Sequence, residues 1–275
     1  MEAALKKFVM ESWGSTDPNR FPGPQPISIE RRHFHYFKTK KYVVCEKNDG
    51  VRNMLVCFEH EGKKICVMVD RAFNFKYTTL AIPRGTILDG EMMDGMYIVY
   101  DAVMIRGQNV MKLNLLERLE MAKKLCATIP KTPGNPVVKV KPMLPMDRIR
   151  EIHLSVATDG LIFTPVDEPV RMGTHETLFK WKPRQHITID FKLQRSGAVD
   201  GTPVYSLFLQ RGEEIMPVNA KFAHLEGKIV ECGYGKAGWE ILKTRTDKDY
   251  PNNKRTYERT LVNIKENIKL EDFYV

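Results

Sequence analysis

The chain has 275 residues, 43% hydrophobic and 28% charged, which excludes a disordered or low-complexity protein and suffices for one large domain or two smaller ones. A net charge of +9 favours polyanionic partners such as nucleic acid or nucleotides. The cysteines, Cys45, Cys57, Cys66, Cys126 and Cys232, include no C-x-x-C, so neither a zinc site nor a disulfide framework is indicated, and free buried thiols in a reducing compartment are expected.

Residues 2–13 carry Ala4, Leu5, Phe8, Val9 and Met10 at helical spacing. This N-terminus lacks the apolar core of a signal peptide, and no run approaches transmembrane length, so an intracellular protein with no membrane partner is expected. F-P-G-P-Q-P (21–26) must be extended or turned. From Tyr42 to Tyr100 the runs Y-V-V-C, M-L-V-C-F, K-I-C-V-M-V and Y-I-V-Y-D-A-V-M-I alternate with Gly, Asp and Asn, as in a mainly antiparallel sheet. The spacing predicts a helix from about Leu113 to Cys126 and a break at T-P-G-N-P (132–136). I-H-L-S-V-A-T-D-G-L-I-F-T-P (152–165) reads as a short helix running into a strand. From Ile187 onward H-I-T-I-D-F-K-L, P-V-Y-S-L-F-L, K-I-V-E-C-G-Y and W-E-I-L-K-T-R read as short strands of a small barrel. The tail from Lys254 to about Lys269 has helical spacing at Leu261, Ile264 and Ile268. A domain boundary is expected near Pro183 to His186.

The chemistry starts in C-E-K-N-D-G-V-R (45–52). A surface hairpin accounts for Asp49-Gly50 but requires neither the lysine nor the arginine. An ordinary lysine, with a pKa of about 10.4, is a nucleophile only once neutral. Placed beneath a pocket, Lys47 can attack phosphorus, with Arg52 pointing toward the same ligand. L-D-G-E (88–91) and T-D-G-L-I-F (158–163) repeat an acid-glycine pattern, and F-K-W-K-P (179–183) sets Lys180 and Lys182 on one strand face with Trp181 on the other. W-E-I-L-K-T-R-T-D-K-D-Y-P-N (239–252) adds further cations. Singly, these are a turn, an edge strand and a salt-bridged loop. In this order they form a set for handling a triphosphate: a lysine nucleophile, acids for a divalent metal, and cations.

The order K-x-D-G-x-R, L-D-G-E, D-G-L-I, K-W-K-P and R-x-D-K-x-x-x-N resembles the covalent nucleotidyltransferases, and among them the guanylyltransferases of mRNA capping. F-P-G-P-Q-P-I-S-I, G-K-I-V-E-C and G-W-E-I-L-K-T-R-T-D-K also resemble segments of the capping branch. The likeness runs from about Phe21 to Asn252, in a chain small enough to resemble virus-encoded versions. It implies an α+β protein: a nucleotidyltransferase domain over 1–185 with antiparallel sheets and helices, an OB-fold barrel over 186–253, and a C-terminal helix over 254–275 that packs back on the first domain.

The resemblance also implies roles. Lys47 forms the lysyl-GMP; Arg52 holds the ribose side of the nucleotide; Glu91 and Asp159 lie near the α-phosphate and the metal. Lys180 and Lys182 contact the α-phosphate and ease deprotonation of Lys47. Arg245, Asp247 and Lys248 meet the β- and γ-phosphates. Tyr100 and Ile162 sandwich guanine, Lys141 reads its O6, and Glu46 joins the nucleotide-binding set. The family often has Arg where Lys243 stands, and Asp159 is shorter than the Glu of related ligases. GTP is the implied substrate, Mg2+ or Mn2+ the cofactor, and 5′-diphosphate RNA the acceptor. The absence of H-C-x-x-G-x-x-R and of a glycine-rich methyl-donor site implies a separate RNA triphosphatase and cap methyltransferase, with RNA polymerase a further candidate partner. The implied location is the nucleus or, for a viral protein, host cytoplasm or virion. The alternatives are an ATP-dependent polynucleotide ligase and a non-catalytic nucleotide- or RNA-binding protein on the same scaffold. R-T-D-K, the tryptophan of K-W-K-P and F-P-G-P-Q-P favour capping.

Overall fold

The structure, a computed structural model, describes residues 1–155 and 158–274. In chain order it contains α1 (Glu2–Trp13), β1 (Gln25–Ser28), α2 (Tyr36–Thr39), β2 (Tyr42–Asn48), β3 (Val51–His60), β4 (Lys63–Asp70) and β5 (Phe75–Tyr77). Next come β6 (Thr86–Met93), β7 (Met96–Ile105), β8 (Gln108–Asn109), α3 (Leu115–Ala127), β9 (Val137–Val140), β10 (Leu144–Pro145), β11 (Thr158–Pro165) and β12 (Thr174–Trp181). The remainder is β13 (Thr188–Val199), β14 (Thr202–Phe208), β15 (Glu214–Val218), β16 (Ile229–Gly235), β17 (Gly238–Thr244) and α4 (Lys254–Glu266). One compact unit comprises Met1–Ile27, Phe34–Lys180 and Tyr274, and the other Ser28–His33 and Trp181–Phe273. The division falls after Lys180, a few residues before the sequence boundary.

The first unit holds two sheets. One runs β5-β4-β3-β6-β7-β8, with β9 on β7, and the other β1-β12-β11-β2-β10. All pairings in the larger sheet are antiparallel except β7 with β9, which is parallel. M-L-V-C-F is apolar throughout because both faces of β3 are covered. Met54, Val56 and Phe58 pack with Leu5, Val9 and Trp13 of α1, while Leu55 and Cys57 face Ala122 and Leu125 of α3. Strand alternation then requires apolar residues at every position. Helix α3 starts on a full capping box, with the Asn114 side chain accepting from the Glu117 amide and Glu117 reaching back.

Two local readings change. Asp49-Gly50 is no hairpin: β2 and β3 belong to different sheets, and the two residues carry the chain from one to the other. Gly50 is required for space, since a Cβ there would lie 2.6 Å from the Met92 carbonyl oxygen. The short helix expected at Ile152 lies upstream, as a 3-10 turn over Met146–Glu151, and Ile152–Ser155 has no regular structure. Pro145 can precede a helical turn, whereas the later segment must enter β11. Val156 and Ala157 of that reading lie outside the described residues.

The second unit is a five-stranded antiparallel sheet ordered β15-β14-β13-β16-β17. It curls until the outer strands meet at a side chain: the Trp239 amide donates to Met216 Sδ at 3.4 Å, and Gly238 leaves room for that thioether. Inside are Ile189, Phe191, Leu193, Leu207, Val230 and Trp239. Helix α4, capped by Asn253 and ended by Asn267 in the left-handed region, adds Tyr257, Leu261 and Ile264 to that core. The sequence reading expects this helix against the first unit; in the structure its apolar stripe packs within the second. Ser28–His33 joins it there, the Ile29 carbonyl accepting from Asn263 Nδ2 at 2.7 Å.

Candidate active site

A cavity of about 280 Å3 in the first unit is lined from both of its sheets. Glu46, Lys47 and Asn48 enter from the end of β2, Arg52 from the start of β3, Glu91 from β6, Tyr100 and Asp101 from β7, Ile162 from β11 and Lys180 from β12; Lys141 follows β9. These were distant in the sequence and are brought together by strand order alone. Lys47 and Asp159 face each other across β2–β11, where the ladder slips by one residue at Asp159. The Lys47 Nζ donates to Asp159 Oδ2 at 2.6 Å, with both side chains largely covered.

Arg52 is held rather than loose. Its Nε and Nη2 donate to Asp89 Oδ1 and Oδ2 at 3.1 and 2.6 Å, and its Nη1 donates to the Pro24 carbonyl at 2.7 Å. Its guanidinium lies 5.0 Å from the Phe21 ring centroid and 5.8 Å from that of Tyr100. The F-P-G-P segment is thus the backing of Arg52, and a side chain on Gly23 would strike the guanidinium and Phe21. Asp89 is fully buried. L-D-G-E therefore supplies two working acids, of which sequence reasoning gave a role only to Glu91. The alternation of β6 was the available signal, because Asp89 and Glu91 share a face.

Glu91 accepts from the Gly50 amide at 3.1 Å. Burial pushes its carboxyl above the ordinary value, opposed by that amide and by the charges of Lys141 and Lys47. Lys141 donates to the Asn48 side-chain oxygen, so the residue after Lys47 holds a second cation of the cavity. Tyr100 and Lys141 share a face, since Val99 pairs with Val140 in the parallel β7–β9 ladder. Burial and the charge of Asp89 raise the Tyr100 hydroxyl well above its usual range. Glu91 and Asp159 are hard oxygen donors that suit a divalent cation completing its shell with water and phosphate, which supplies neutralising charge to a triphosphate when bound. Among the described residues no group of three or more His, Cys, Asp or Glu forms a fuller metal cage.

Four sequence-selected residues, Lys182, Arg245, Asp247 and Lys248, belong to the second unit. Arg245 Nη1 donates to Asp190 Oδ1 at 3.1 Å, its Nε and Nη2 reach Asp247 at 2.9 Å each, and Lys248 Nζ donates to Asp190 Oδ2 at 2.5 Å. Asn252, the last residue of that motif, closes the loop onto β13: its side chain accepts from the Asp190 amide at 2.8 Å and its amide donates to the Asp190 carbonyl at 2.7 Å. Neither Asp190 nor the function of Asn252 was visible as part of the motif. Trp181 is buried, donating from Nε1 to the Ile268 carbonyl at 2.8 Å.

The family model described as mRNA capping enzyme, catalytic domain, matches residues 2–184. The chain belongs to the mRNA capping enzyme family. The family's C-terminal domain matches residues 174–274, so the two models account for the chain from the first helix through the second unit. It is 28% identical to the mRNA-capping enzyme subunit alpha of Schizosaccharomyces pombe, covering 94% of this chain and 80% of that protein. Against the subunit alpha of Saccharomyces cerevisiae the identity is 27%, over 98% of this chain and 81% of that one. The mRNA-capping enzyme of Danio rerio is 27% identical over 88% of this chain, which spans 47% of that longer protein. A solved mycobacterial DNA ligase D complexed with ATP and MES is similar at 13% identity and a TM-score of 0.49, over 83% of this chain and 96% of that one. Among the described residues no helix is long and apolar enough to cross a membrane.

Proposed function

We propose that the chain is an mRNA guanylyltransferase that forms a lysyl-GMP from GTP and passes it to the 5′-diphosphate end of RNA. The observation that carries this reading is Lys47, its amine 2.6 Å from Asp159, on the wall of a cavity that also presents Arg52, Glu91, Lys141 and Lys180. Family membership supplies the reaction class; the lysine supplies the nucleophile.

The ammonium of Lys47, paired with Asp159, cannot attack. Its proton must leave and the pair must part before the nitrogen lone pair reaches the α-phosphorus. A P–N bond then forms and the bond to pyrophosphate breaks. Lys180 places positive charge where the transferred phosphoryl oxygens gain negative charge. Arg52, fixed by Asp89, and Lys141, fixed by Asn48, present donors to ribose and base from fixed positions, which lowers the orientational cost of binding. In the second half the terminal phosphate of diphosphate RNA attacks, Lys47 leaves as an amine, and a GpppN end results. Mg2+ or Mn2+ on Glu91 and Asp159 is part of this proposal. So are Lys182, Arg245 and Lys248 as cations serving the triphosphate, the OB-type reading of the second unit, and separate enzymes for triphosphatase and methyl transfer. The strand order and the near-closure at Met216 support the OB-type reading.

The test is incubation with α-labelled GTP and Mg2+ or Mn2+, then a denaturing gel. Label should stay on the protein from GTP, vanish with pyrophosphate, move to diphosphate RNA, and be absent in Lys47→Ala. Retention from ATP alone points to a ligase instead.

A further inference from the structure

Behind the cavity lies a buried arginine that belongs to none of the motifs. Arg118, on α3, is 2% exposed. Its Nε and Nη2 donate to Asp101 Oδ1 and Oδ2 at 2.7 and 3.0 Å. Its Nη1 donates to the carbonyls of Leu113 and Glu168, the latter at 3.2 Å. Asp101 is on β7, in the larger sheet of the first unit, and lines the cavity beside Tyr100. Glu168 just follows β11 of the other sheet, and its carboxylate gathers Lys40, His175 and Thr177 at 2.7, 3.0 and 2.7 Å. Thr177 and His175 are on β12, and Lys40 precedes β2, which carries Lys47 near its end.

The reason Asp101 faces the cavity at all is a bulge. Asp89 pairs with Asp101, but Gly90 pairs with Val99, so Tyr100 is left over. A bulged residue disturbs alternation and lets neighbours share a face. A bulge is soft unless something pins it, and the guanidinium fork of Arg118 pins it from behind. The carboxylate of Asp101 would otherwise be a buried charge, which burial alone drives toward the neutral form.

We propose that Arg118 is a positioning residue for the nucleotide: by clamping Asp101 and the Glu168 backbone it fixes the Tyr100 bulge and the spacing of the two sheets that wall the cavity. It touches no reacting atom. The argument rests on the nucleotide site proposed above. A lysine at this place keeps the charge but cannot make the fork to Asp101 and reach a carbonyl at once.

The experiment compares wild type, Arg118→Lys, and the double variant Arg118→Met/Asp101→Asn, which removes both charges so that no lone buried ion unfolds the protein. GTP and ATP binding are each followed by titration, GMP transfer by single-turnover labelling, and folding by thermal unfolding. In folded Arg118→Lys, nucleotide binding should weaken about tenfold with the labelling rate at saturating GTP near that of wild type, the pattern of a group acting behind the contact residues. The folded double variant should show the same loss. That loss should not exceed the loss in Arg118→Lys, because Arg118 and Asp101 act as one unit. If wild type takes no GMP, the proposed function falls, yet weaker binding of either nucleotide by the folded variants still supports the role of Arg118. Equal binding by wild type and folded variants, including none by either, overturns it, as does a loss confined to saturating rate.

Discussion

The acids of the two units treat their cations differently. In the first unit Asp89 holds Arg52 and Asp159 holds Lys47, each across a pair of neighbouring strands, and Lys47 and Arg52 remain on the wall of a cavity. In the second, Asp190, Glu231 and Asp247 collect three cations, Lys243, Arg245 and Lys248, into one balanced cluster. Strand partners set a cation at fixed spacing, as Lys243 is set opposite Glu231, whereas a loop such as 245–252 can fold over its acid and bring Arg245 and Lys248 together. Charges set by strands are therefore rigid, and charges set by a loop can be re-assigned when a better anion arrives.

The largest expected effect follows from rigidity. Asp89 is fully buried and Arg52 is its bidentate partner. Arg52→Met strands that carboxylate and should cost about 3–5 kcal/mol in chemical denaturation, with lysyl-GMP formation lost as well. Arg52→Met with Asp89→Asn should recover much of the stability and none of the labelling. Arg245→Met should cost less, about 1–2 kcal/mol, because the Asp190 carboxylate keeps Lys248. Equal costs for Arg52→Met and Arg245→Met break the contrast between strand-set and loop-set charges.

A pH titration sharpens it. Burial of Glu168 would raise its carboxyl, but hydrogen bonds from Lys40, His175 and Thr177 and the charge of Lys40 outweigh this and hold it at about 2. The folded value lies below the ordinary one of about 4.3. The stability this group contributes is therefore complete above pH of about 5 and is lost as pH falls toward about 2. The full amount is up to about 3 kcal/mol. Calorimetry from neutral to acid pH should show it, and Glu168→Gln should flatten that part of the profile.

Much of this arrangement was legible in the sequence, and the boundary is physical. Lys47, Arg52, Glu91 and Lys180 could be named because each sits in a motif whose residue types suit phosphate chemistry, while Tyr100, Lys141 and Ile162 came only with the family resemblance. The helices at 2–13 and near 113–126, and the strands between, followed from apolar period. What stayed hidden were the partners. Asp89, Asn48, Arg118 and Asp190 act by accepting or donating a bond to a residue far away in the chain, and nothing local distinguishes a buried clamp from a solvated charge. The Asp-Gly of 49–50 had two geometries open to it, hairpin or sheet crossing, and only the long-range pairing of β2 with β11 and β3 with β6 decides. The tail helix had a clear stripe but no address, because a stripe specifies that something covers it and not what.

The smallest effect lies at Lys243, where the family often has Arg. Lys243 pairs directly across β16–β17 with Glu231, 3.2 Å away, but two thirds of its side chain is exposed. Glu231 already accepts from Thr188 at 2.9 Å and faces Arg245 at 3.5 Å. Lys243 is thus the outermost of its cations, and water screens it first. Lys243→Ala should cost no more than about 0.5 kcal/mol, and the difference should vanish at about 1 M salt, where charges are screened within about 3 Å. Lys243→Arg should change stability even less: its fork meets an oxygen pair that is already occupied, so the geometric advantage of a guanidinium has no free acceptor to act on. A cost for Lys243→Ala matching that of Arg245→Met would mean that the cluster acts as one unit rather than as a graded series from buried to exposed, and the loop would then be as rigid as the strands.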